Sequence, residues 1–236
     1  MTVFTICLAE IVFNVHCIFP STELYCHKYL SKEKPKYNIK INVEDIEYER
    51  RISVIEASDN YLETLALYRK ISELMINENG ILFHSSAIEL DGDAYLFTGT
   101  SGTGKSTHTR LWRETFTDKE IHMINDDKPL ICFKEDGIYV YGTPWSGKSK
   151  LNENRKAKIK GICYLKQGKE NKINRISKSE AFPLMMKQTY RSSMRTGLIR
   201  TINLLKELCE TIPIYEMSCN ISREAALTSY NCMKEG

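Results

Sequence analysis

The segment from Gly99 to Thr107, Gly-Thr-Ser-Gly-Thr-Gly-Lys-Ser-Thr, constrains the fold of this chain more than any other. It satisfies the phosphate-binding pattern GxxxxGK[ST] and directly follows a strand-like run at residues 94–98. A helical pattern at residues 108–113 comes next. Strand, glycine-rich loop and helix in this order predict a P-loop, so a nucleoside triphosphate is the first ligand that the sequence indicates.

Each part of this loop has a predicted task. The predicted nucleotide-binding residues are Gly99, Thr100, Ser101, Gly102, Thr103, Gly104, Lys105, Ser106 and Thr107. The glycines permit positive φ angles, so that successive backbone N–H groups point at phosphate oxygens in front of a helix N-terminus. Lys105 is predicted to reach the β- and γ-phosphates. The Ser106 hydroxyl is a predicted ligand of Mg²⁺, an ion that prefers oxygen donors.

Composition indicates an ordinary globular protein. The chain has 236 residues, 42% of them hydrophobic, which suits one large domain or a domain with a small attachment. Its 33 basic and 30 acidic residues give a net charge of +3, too balanced to indicate nucleic acid as a partner. Eight cysteines without any CxxC pair indicate reduced, mostly buried thiols.

The sequence predicts a cytoplasmic protein with no membrane partner. No stretch is long and apolar enough to span a bilayer. Residues 1–20 are rather apolar, but they lack a basic start and alternate with polar residues, which predicts a hairpin and not a signal peptide.

Alternating apolar residues in the first quarter of the chain predict a small, mainly antiparallel sheet. The predicted strands are Val3–Cys7, Ile11–Val15, Tyr37–Val43 and Arg51–Ile55. A helix is predicted over Tyr61–Asn77, where apolar residues recur at helical spacing before an Asn-Gly stop. We therefore expect a small N-terminal α+β domain over residues 1–78 and a nucleotide-binding domain over residues 79–236.

The second domain is predicted to begin with a hairpin. Strand-like runs at Leu82–Leu90 and Ala94–Thr98 flank Asp91-Gly92, a favoured tight-turn pair. The P-loop strand thus has an antiparallel neighbour, unlike in doubly wound nucleotide enzymes. Further strands are predicted at His122–Ile124, Leu130–Phe133, Ile138–Tyr141, Ile159–Leu165 and Ile212–Met217, and helices at Ser179–Gln188, Gly197–Glu210 and Ser222–Met233.

Two neighbouring acids are candidates for the chemistry. Asp126 and Asp127 follow a short apolar strand downstream of the P-loop. Adjacent side chains of an extended backbone point in opposite directions, so one carboxylate can face Mg²⁺ while the other faces an acceptor. A plain Asn-Asp-Asp turn is the alternative, and the P-loop favours the catalytic interpretation. His84 is predicted on the strand before the P-loop strand, across the sheet from the nucleotide, with a structural role as the alternative.

Two further segments leave alternatives open. The turn-rich loop Gly142–Lys148 offers a lysine and the indole of Trp145, which either closes over a ligand or packs into the core. Arg191 and Arg195 either clamp a phosphate or carboxylate, or are solvated at a helix end.

Taken together, these motifs resemble a known family. His84–Ala87, the antiparallel entry, the P-loop and Asn125–Asp127 are similar to HPr kinase/phosphorylase and, more distantly, to the nucleotide core of phosphoenolpyruvate carboxykinase. Met123–Leu130 and Tyr141–Lys148 resemble still more closely the small HPr-kinase-like proteins of SynChlorMet-type peptide cassettes. The resemblance covers roughly residues 80–220. It implies an α/β fold with α+β character: a P-loop core with a mixed sheet, plus the small antiparallel N-terminal part.

The resemblance also implies roles for single residues. Asp126 would accept the proton of a serine hydroxyl, Asp127 would lie near the metal, and His84 would assist. Thr107 stands where HPr kinase has an acidic residue, and the glycine-rich signature of that family is not recognisable, so HPr itself is not implied as the substrate. The extra basic positions of carboxykinase are not recognisable either, so decarboxylation is not expected.

The expected activity is that of an ATP- and Mg²⁺-dependent kinase in which positioning and charge neutralisation, with Lys105 as the catalytic cation, drive transfer. The γ-phosphoryl group would pass to a hydroxyl, predicted to be a serine of a peptide or small protein that residues 1–78 recognise. A small-molecule acceptor such as free serine is one alternative, and a non-catalytic, ATP-sensing peptide-binding module is another. By analogy with HPr kinase, a homo-oligomer is expected.

Overall fold

The computed structural model describes residues 1–53 and 56–236. It contains two compact units, Met1–Met75 and Ile76–Gly236. The division falls near the end of a long helix, α3, which spans Asp59–Asn77 and confirms the helix predicted there. Each unit has its own sheet.

The first unit is built on an N-terminal hairpin. Strands β1 (Thr2–Leu8) and β2 (Ile11–Cys17) pair antiparallel along their whole length, which confirms the predicted hairpin. Ala9 and Glu10 form the turn at φ angles of 49° and 69°, the left-handed values that tight hairpins require. Strand β3 (Tyr37–Lys40) joins β2 in parallel, so the mainly antiparallel sheet that was predicted contains one parallel pair.

Helices account for the other differences in this unit. A short helix α1 (Pro20–Tyr25) and a 3₁₀ turn lie in the connection that makes the parallel β2–β3 pairing sterically feasible. Helix α2 (Val43–Ile52) begins where the predicted third strand was expected to end, because Asn42 and Asp45 form a reciprocal capping box. The strand predicted over Arg51–Ile55 is wrong for Arg51 and Ile52, which lie in α2, and Val54 and Ile55 lie outside the described residues.

The second unit contains a curled mixed sheet, which confirms the predicted α/β class. Its strands are β4 (Gly80–Leu82), β5 (Ser85–Leu90), β6 (Asp93–Thr98), β7 (Ile121–Asn125), β8 (Leu130–Lys134), β9 (Gly137–Tyr141), β10 (Lys156–Gln167), β11 (Lys172–Arg175) and β12 (Ile214–Cys219). The order along the sheet is β4-β8-β9-β10-β6-β5-β7, and β12 pairs with both β10 and β11. The predicted hairpin at Asp91-Gly92 joins β5 to β6.

One predicted strand of this unit is in fact two. The segment Leu82–Leu90 is interrupted at Phe83 and His84: β4 pairs with β8, whereas β5 pairs with β6 and β7. The expectation that His84 lies on the strand before the P-loop strand is therefore wrong, since His84 lies in the break ahead of β5. Leaving the ladder frees its side chain to reach residues outside the sheet.

Helices cover both faces of this sheet. Helices α5 (Lys178–Gln188) and α6 (Arg195–Thr211) pack on one face, and α4 (Lys105–Thr115) and α7 (Arg223–Met233) pack on the other. The three predicted C-terminal helices are confirmed, while β11 was not predicted. Among the described residues, no helix is both long enough and apolar enough to cross a membrane.

Candidate active site

Strand direction brings the predicted site residues to one edge of the sheet. β5 runs antiparallel to both β6 and β7, so β6 and β7 end where β5 begins. β10 and β12 run parallel to β6 and end at the same edge. The P-loop after β6, Asp126 and Asp127 after β7, and His84 before β5 therefore lie along a single edge. Sheets of this kind bind ligands at the carboxyl ends of their parallel strands.

The loop between β6 and α4 has the backbone of a phosphate cradle. Gly99, Gly102 and Gly104 have φ angles of 149°, 81° and 99°, values that residues with a Cβ atom rarely adopt. Gly99 is also crowded, because a Cβ there would lie 2.9 Å from both the Leu165 carbonyl oxygen and the Thr103 hydroxyl. Each glycine of the pattern thus has a conformational reason to be present.

Lys105 opens α4 and folds back over the loop. Its ammonium group donates hydrogen bonds to the carbonyl oxygens of Gly99 (3.1 Å) and Thr100 (3.3 Å). Burial lowers the pKa of this ammonium group, and the nearby Asp127 carboxylate partly opposes that shift. The charge of Lys105 is therefore held at the loop, close enough to Asp127 to interact with it.

The remaining loop residues differ in exposure. Ser101 and Ser106 are exposed, and Thr107 is half-buried in the first turn of α4. The Thr103 hydroxyl donates to the Thr100 carbonyl at 2.8 Å and closes the loop on itself. Ser106 is therefore exposed in the first turn of α4, as a Mg²⁺ ligand would be.

His84 and Asp127 form a pair. The distance from His84 Nε2 to Asp127 Oδ1 is 3.2 Å. Although burial favours the neutral acid, the hydrogen bond from His84 and the charges of Lys128 and Lys105 prevail and lower the pKa of Asp127. Asp127 is thus held as a carboxylate between a histidine and the P-loop lysine.

Asp126 has a different environment. It is 3% exposed, and its Oδ1 accepts a 2.6 Å hydrogen bond from the backbone N–H of Gly147. Its Oδ2 is buried and has no hydrogen-bond partner among the described residues. Burial raises the pKa of Asp126, and the neighbouring Asp127 charge adds to the effect. The pKa values of the two acids are therefore shifted in opposite directions, so Asp126 binds a proton more readily than Asp127 does.

The turn that carries both acids depends on Asn125, a role that the sequence analysis missed. The side-chain Oδ1 of Asn125 accepts from the backbone N–H groups of Asp127 and Lys128, both at 2.8 Å. Its amide nitrogen donates to the Thr143 carbonyl at 3.0 Å. Asn is a common residue at such side-chain-closed turns, so the Asn-Asp-Asp order was the available signal.

Two hydroxyls on neighbouring strands hold the backbone of these residues. Thr98 donates to the His84 carbonyl at 2.7 Å, and Ser86 donates to the Asp126 carbonyl at 3.1 Å. Neither hydroxyl was singled out from the sequence. Together they link the end of the P-loop strand to the histidine and to the first acid.

The two ambiguous segments have distinct outcomes. Trp145 is 2% exposed, so its indole packs in the interior. In the same loop, the backbone N–H of Gly147 contacts Asp126. Arg191 and Arg195 are exposed, as solvated arginines would be.

A cavity of about 480 Å³ beside the P-loop is lined by residues 100–103 and 164–167. A second, of about 260 Å³, lies between α4 and the β12–α7 connection.

Comparison with known proteins places the chain in a family. Residues 54–224, well over half of the chain, match the model of the SynChlorMet cassette protein ScmC. The chain belongs to the ScmC family. The resemblance to SynChlorMet-type proteins is thereby confirmed, and the matched region contains the P-loop, both acids and His84.

The similarity of this ScmC-family chain to solved structures is more distant. The structure of the HPr(Ser) kinase/phosphatase from Coxiella burnetii matches 65% of this chain and 88% of its own chain, with 10% sequence identity and a TM-score of 0.39. A likeness of this degree carries no argument about activity. No curated protein sequence matches the chain.

Proposed function

We propose that this ScmC-family chain is an ATP- and Mg²⁺-dependent phosphotransferase that moves the γ-phosphoryl group to a hydroxyl, a serine of a peptide or small protein. The observation that carries the proposal is the convergence of the P-loop and the acid pair at one sheet edge. There Lys105 and Asp127 lie close enough that each shifts the pKa of the other. Phosphoryl transfer uses a loop that binds the phosphates, a group that binds the metal and a carboxylate that accepts the hydroxyl proton, and this edge offers a candidate for each.

The residues at this edge fit a Mg²⁺-bound triphosphate. The P-loop amides and Lys105 would bind the phosphates, and the exposed Ser106 hydroxyl and the Asp127 carboxylate would hold the metal. When bound, Mg²⁺ supplies positive charge that offsets the negative charge of the phosphates. Lys105 contributes a second positive charge, which its hydrogen bonds to the loop carbonyls already place at the cradle.

Asp126 is suited to act as the base. As the acceptor oxygen bonds to the γ-phosphorus, the bond to the β–γ bridging oxygen breaks and its electron pair leaves with ADP. The hydroxyl proton would pass to Asp126 once the Gly147 contact opens, because Oδ2 of this carboxylate has no hydrogen-bond partner among the described residues. A raised pKa makes this carboxylate a stronger base. His84 would keep Asp127 oriented through their hydrogen bond.

Transfer of labelled γ-phosphate from Mg-ATP into peptides and metabolites of the source cell tests the proposal. We expect label in a peptide or small protein, lost in Lys105→Ala and in Asp126→Asn. Lys206→Ala and Asp118→Asn are matched controls, because they remove the same groups at exposed positions on α6 and on the connection between α4 and β7, away from the site. Label in a small molecule would change the acceptor, and wild-type transfer by Lys105→Ala would refute the proposed mechanism.

A second candidate function is a nucleotide-sensing module without turnover. The observation that favours it is the cover over Asp126, since an acceptor hydroxyl reaches that carboxylate only if the Gly147 contact opens. Such a module would bind ATP, and its affinity for a peptide would change with the nucleotide. ATP binding with neither transfer nor hydrolysis, under conditions where Lys105→Ala abolishes binding, would support this candidate over the kinase.

A further inference from the structure

The carboxyl end of β10 lies against the P-loop. β10 pairs in parallel with β6 as far as Tyr164, which lies opposite Thr98, the last residue before the loop. The carbonyl of the next residue, Leu165, is so close to Gly99 that a Cβ atom on this glycine would lie 2.9 Å from its oxygen. The backbone of β10 therefore supports the loop at its first residue.

Gln167 extends this contact to the middle of the loop. Its side-chain Nε2 donates a 3.0 Å hydrogen bond to the carbonyl oxygen of Gly102. The backbone of Gln167 is held in place, because it is the last residue of β10 and lies opposite Cys219 in the parallel ladder with β12. The N–H of the next residue, Gly168, donates to the Cys219 carbonyl at 2.9 Å. A fixed strand end thus presents an amide donor to a glycine of the P-loop.

This hydrogen bond orients one peptide group of the loop. In a trans peptide the C=O and N–H groups point in opposite directions. Because the Gly102 carbonyl points at Gln167, the N–H of Thr103 points to the opposite side. There it donates to the Thr100 carbonyl at 3.3 Å, and the same oxygen accepts a 3.3 Å hydrogen bond from the Lys105 ammonium group. The Thr103 N–H therefore faces the side of the loop on which the Lys105 charge lies.

Gly102 does little to fix this orientation by itself. Its φ angle is 81° and, apart from its chain neighbours, no described residue has an atom within 4 Å of the position that a Cβ atom would take. A glycine in open space can rotate the peptide that follows it at small steric cost. Such a rotation would turn the Gly102 carbonyl, in place of the Thr103 N–H, towards Lys105. Backbone N–H groups attract phosphate oxygens, whereas a carbonyl oxygen in the same place would repel them.

We propose that Gln167 is a positioning residue for phosphate binding, which keeps the Thr103 N–H directed into the cradle by holding the Gly102 carbonyl on the other side. Gln167 acts through the loop backbone and does not itself touch the phosphates. A hydrogen bond to a charged group contributes enough free energy to change affinity about tenfold. The inference rests on the proposed function, because the phosphates concerned are those of the proposed triphosphate.

Binding of inorganic tripolyphosphate with Mg²⁺ to the full chain, measured by titration calorimetry and by the backbone amide resonances in NMR spectra, tests the inference. Gln167→Met removes the amide donor and keeps the length of the side chain. We expect this variant to bind tripolyphosphate about tenfold more weakly than wild type, a difference of about 1.4 kcal/mol. Its Tm should stay within about 2 °C of wild type, because Gln167 is exposed.

The amide resonance of Thr103 distinguishes positioning from a general loss of structure. In wild type, saturating tripolyphosphate should shift the amide resonances of Thr103, Gly104 and Lys105. In Gln167→Met the resonances of Gly104 and Lys105 should still shift, whereas the shift of Thr103 should be lost. Asn203→Met is the matched control and should behave as wild type, since it also replaces an exposed side-chain amide by a thioether but lies in the middle of α6, away from the P-loop.

An affinity of Gln167→Met for tripolyphosphate within about twofold of wild type would overturn the positioning role. A wild-type Thr103 resonance that tripolyphosphate leaves in place would overturn it as well, and so would an undiminished Thr103 shift in Gln167→Met. These three results leave the proposed function intact. A wild-type chain that binds neither tripolyphosphate nor Mg-ATP would instead overturn the proposed function and, with it, this inference.

Discussion

Replacing Asn125 by alanine tests whether this one side chain holds the acid pair. Asn125 is fully buried, accepts from the N–H groups of Asp127 and Lys128, and donates to the Thr143 carbonyl. Asn125→Ala leaves these three backbone groups without that partner. At the lower end of the usual penalty, about 1 kcal/mol for each group, the free energy of unfolding falls by about 3 kcal/mol.

That loss is large enough to measure in two ways. In a chain of this length, about 1 kcal/mol lowers Tm by about 2–4 °C, so the expected drop is about 6–12 °C by calorimetry. Displacement of Asp126 and Asp127 should also lower transfer by about 100-fold, as small misplacements of reacting groups do. Asn231→Ala removes an exposed amide on α7 that accepts a hydrogen bond from the Lys234 side chain, and it should change neither quantity. A Tm for Asn125→Ala within about 2 °C of wild type would refute the reasoning.

Three further variants probe the site and its surroundings. Asp126→Asn should abolish transfer yet raise Tm at pH 7, because it keeps an acceptor for the Gly147 N–H and removes a buried charge. This gain in Tm should vanish below the ordinary aspartate pKa of about 3.9, where the wild-type carboxyl is already neutral. Gly99→Ala should lose nucleotide binding and stability through its two 2.9 Å clashes, whereas Gly102→Ala, with no atom within 4 Å, should lose about 1 kcal/mol from its φ angle alone. Burial lowers the pKa of His108 to about 4 in the folded chain, so the unfolded chain takes up a proton on this histidine at a higher pH than the folded chain does. The free energy of unfolding should therefore fall by up to about 3 kcal/mol between pH 6.5 and 4. His108→Gln should lack this loss.

Thermal and urea denaturation at a series of pH values, with nucleotide binding measured at pH 7, cover all three variants. A lower Tm of Asp126→Asn at pH 7 would contradict the buried-charge argument. Equal losses in Gly99→Ala and Gly102→Ala would show that crowding is irrelevant at Gly99. The same pH dependence in wild type and His108→Gln would remove His108 as its cause.

Local patterns predicted much of the fold because each had a local physical cause. The β1–β2 hairpin followed from alternation over both strands, and α3 from helical spacing before Asn-Gly. The same alternation misled at Arg51–Ile52, where the Asn42–Asp45 capping box starts a helix that extends through both residues. The capping signal was present in the sequence but was outweighed by the apolar alternation.

The candidate site was predictable in part for a similar reason. The P-loop and the acid pair have residue types that their chemistry demands. The break at Phe83–His84 has no such signature, since it arises because β4 and β5 pair with different strands. The contact between Gly147 and Asp126 joins positions 21 residues apart through a backbone N–H, which every residue but proline carries. Contacts of that kind leave no trace in residue identity.

The orientation of β6 also has a consequence for engineering and divergence of the chain. The P-loop follows its last residue, Thr98, while the Asp91-Gly92 turn precedes its first, Asp93. Six residues of strand separate these ends by about 20 Å. A peptide tag or a fluorescent label inserted at Asp91-Gly92 should therefore be tolerated without touching the loops where the nucleotide is proposed to bind, and natural length variation should accumulate at this turn.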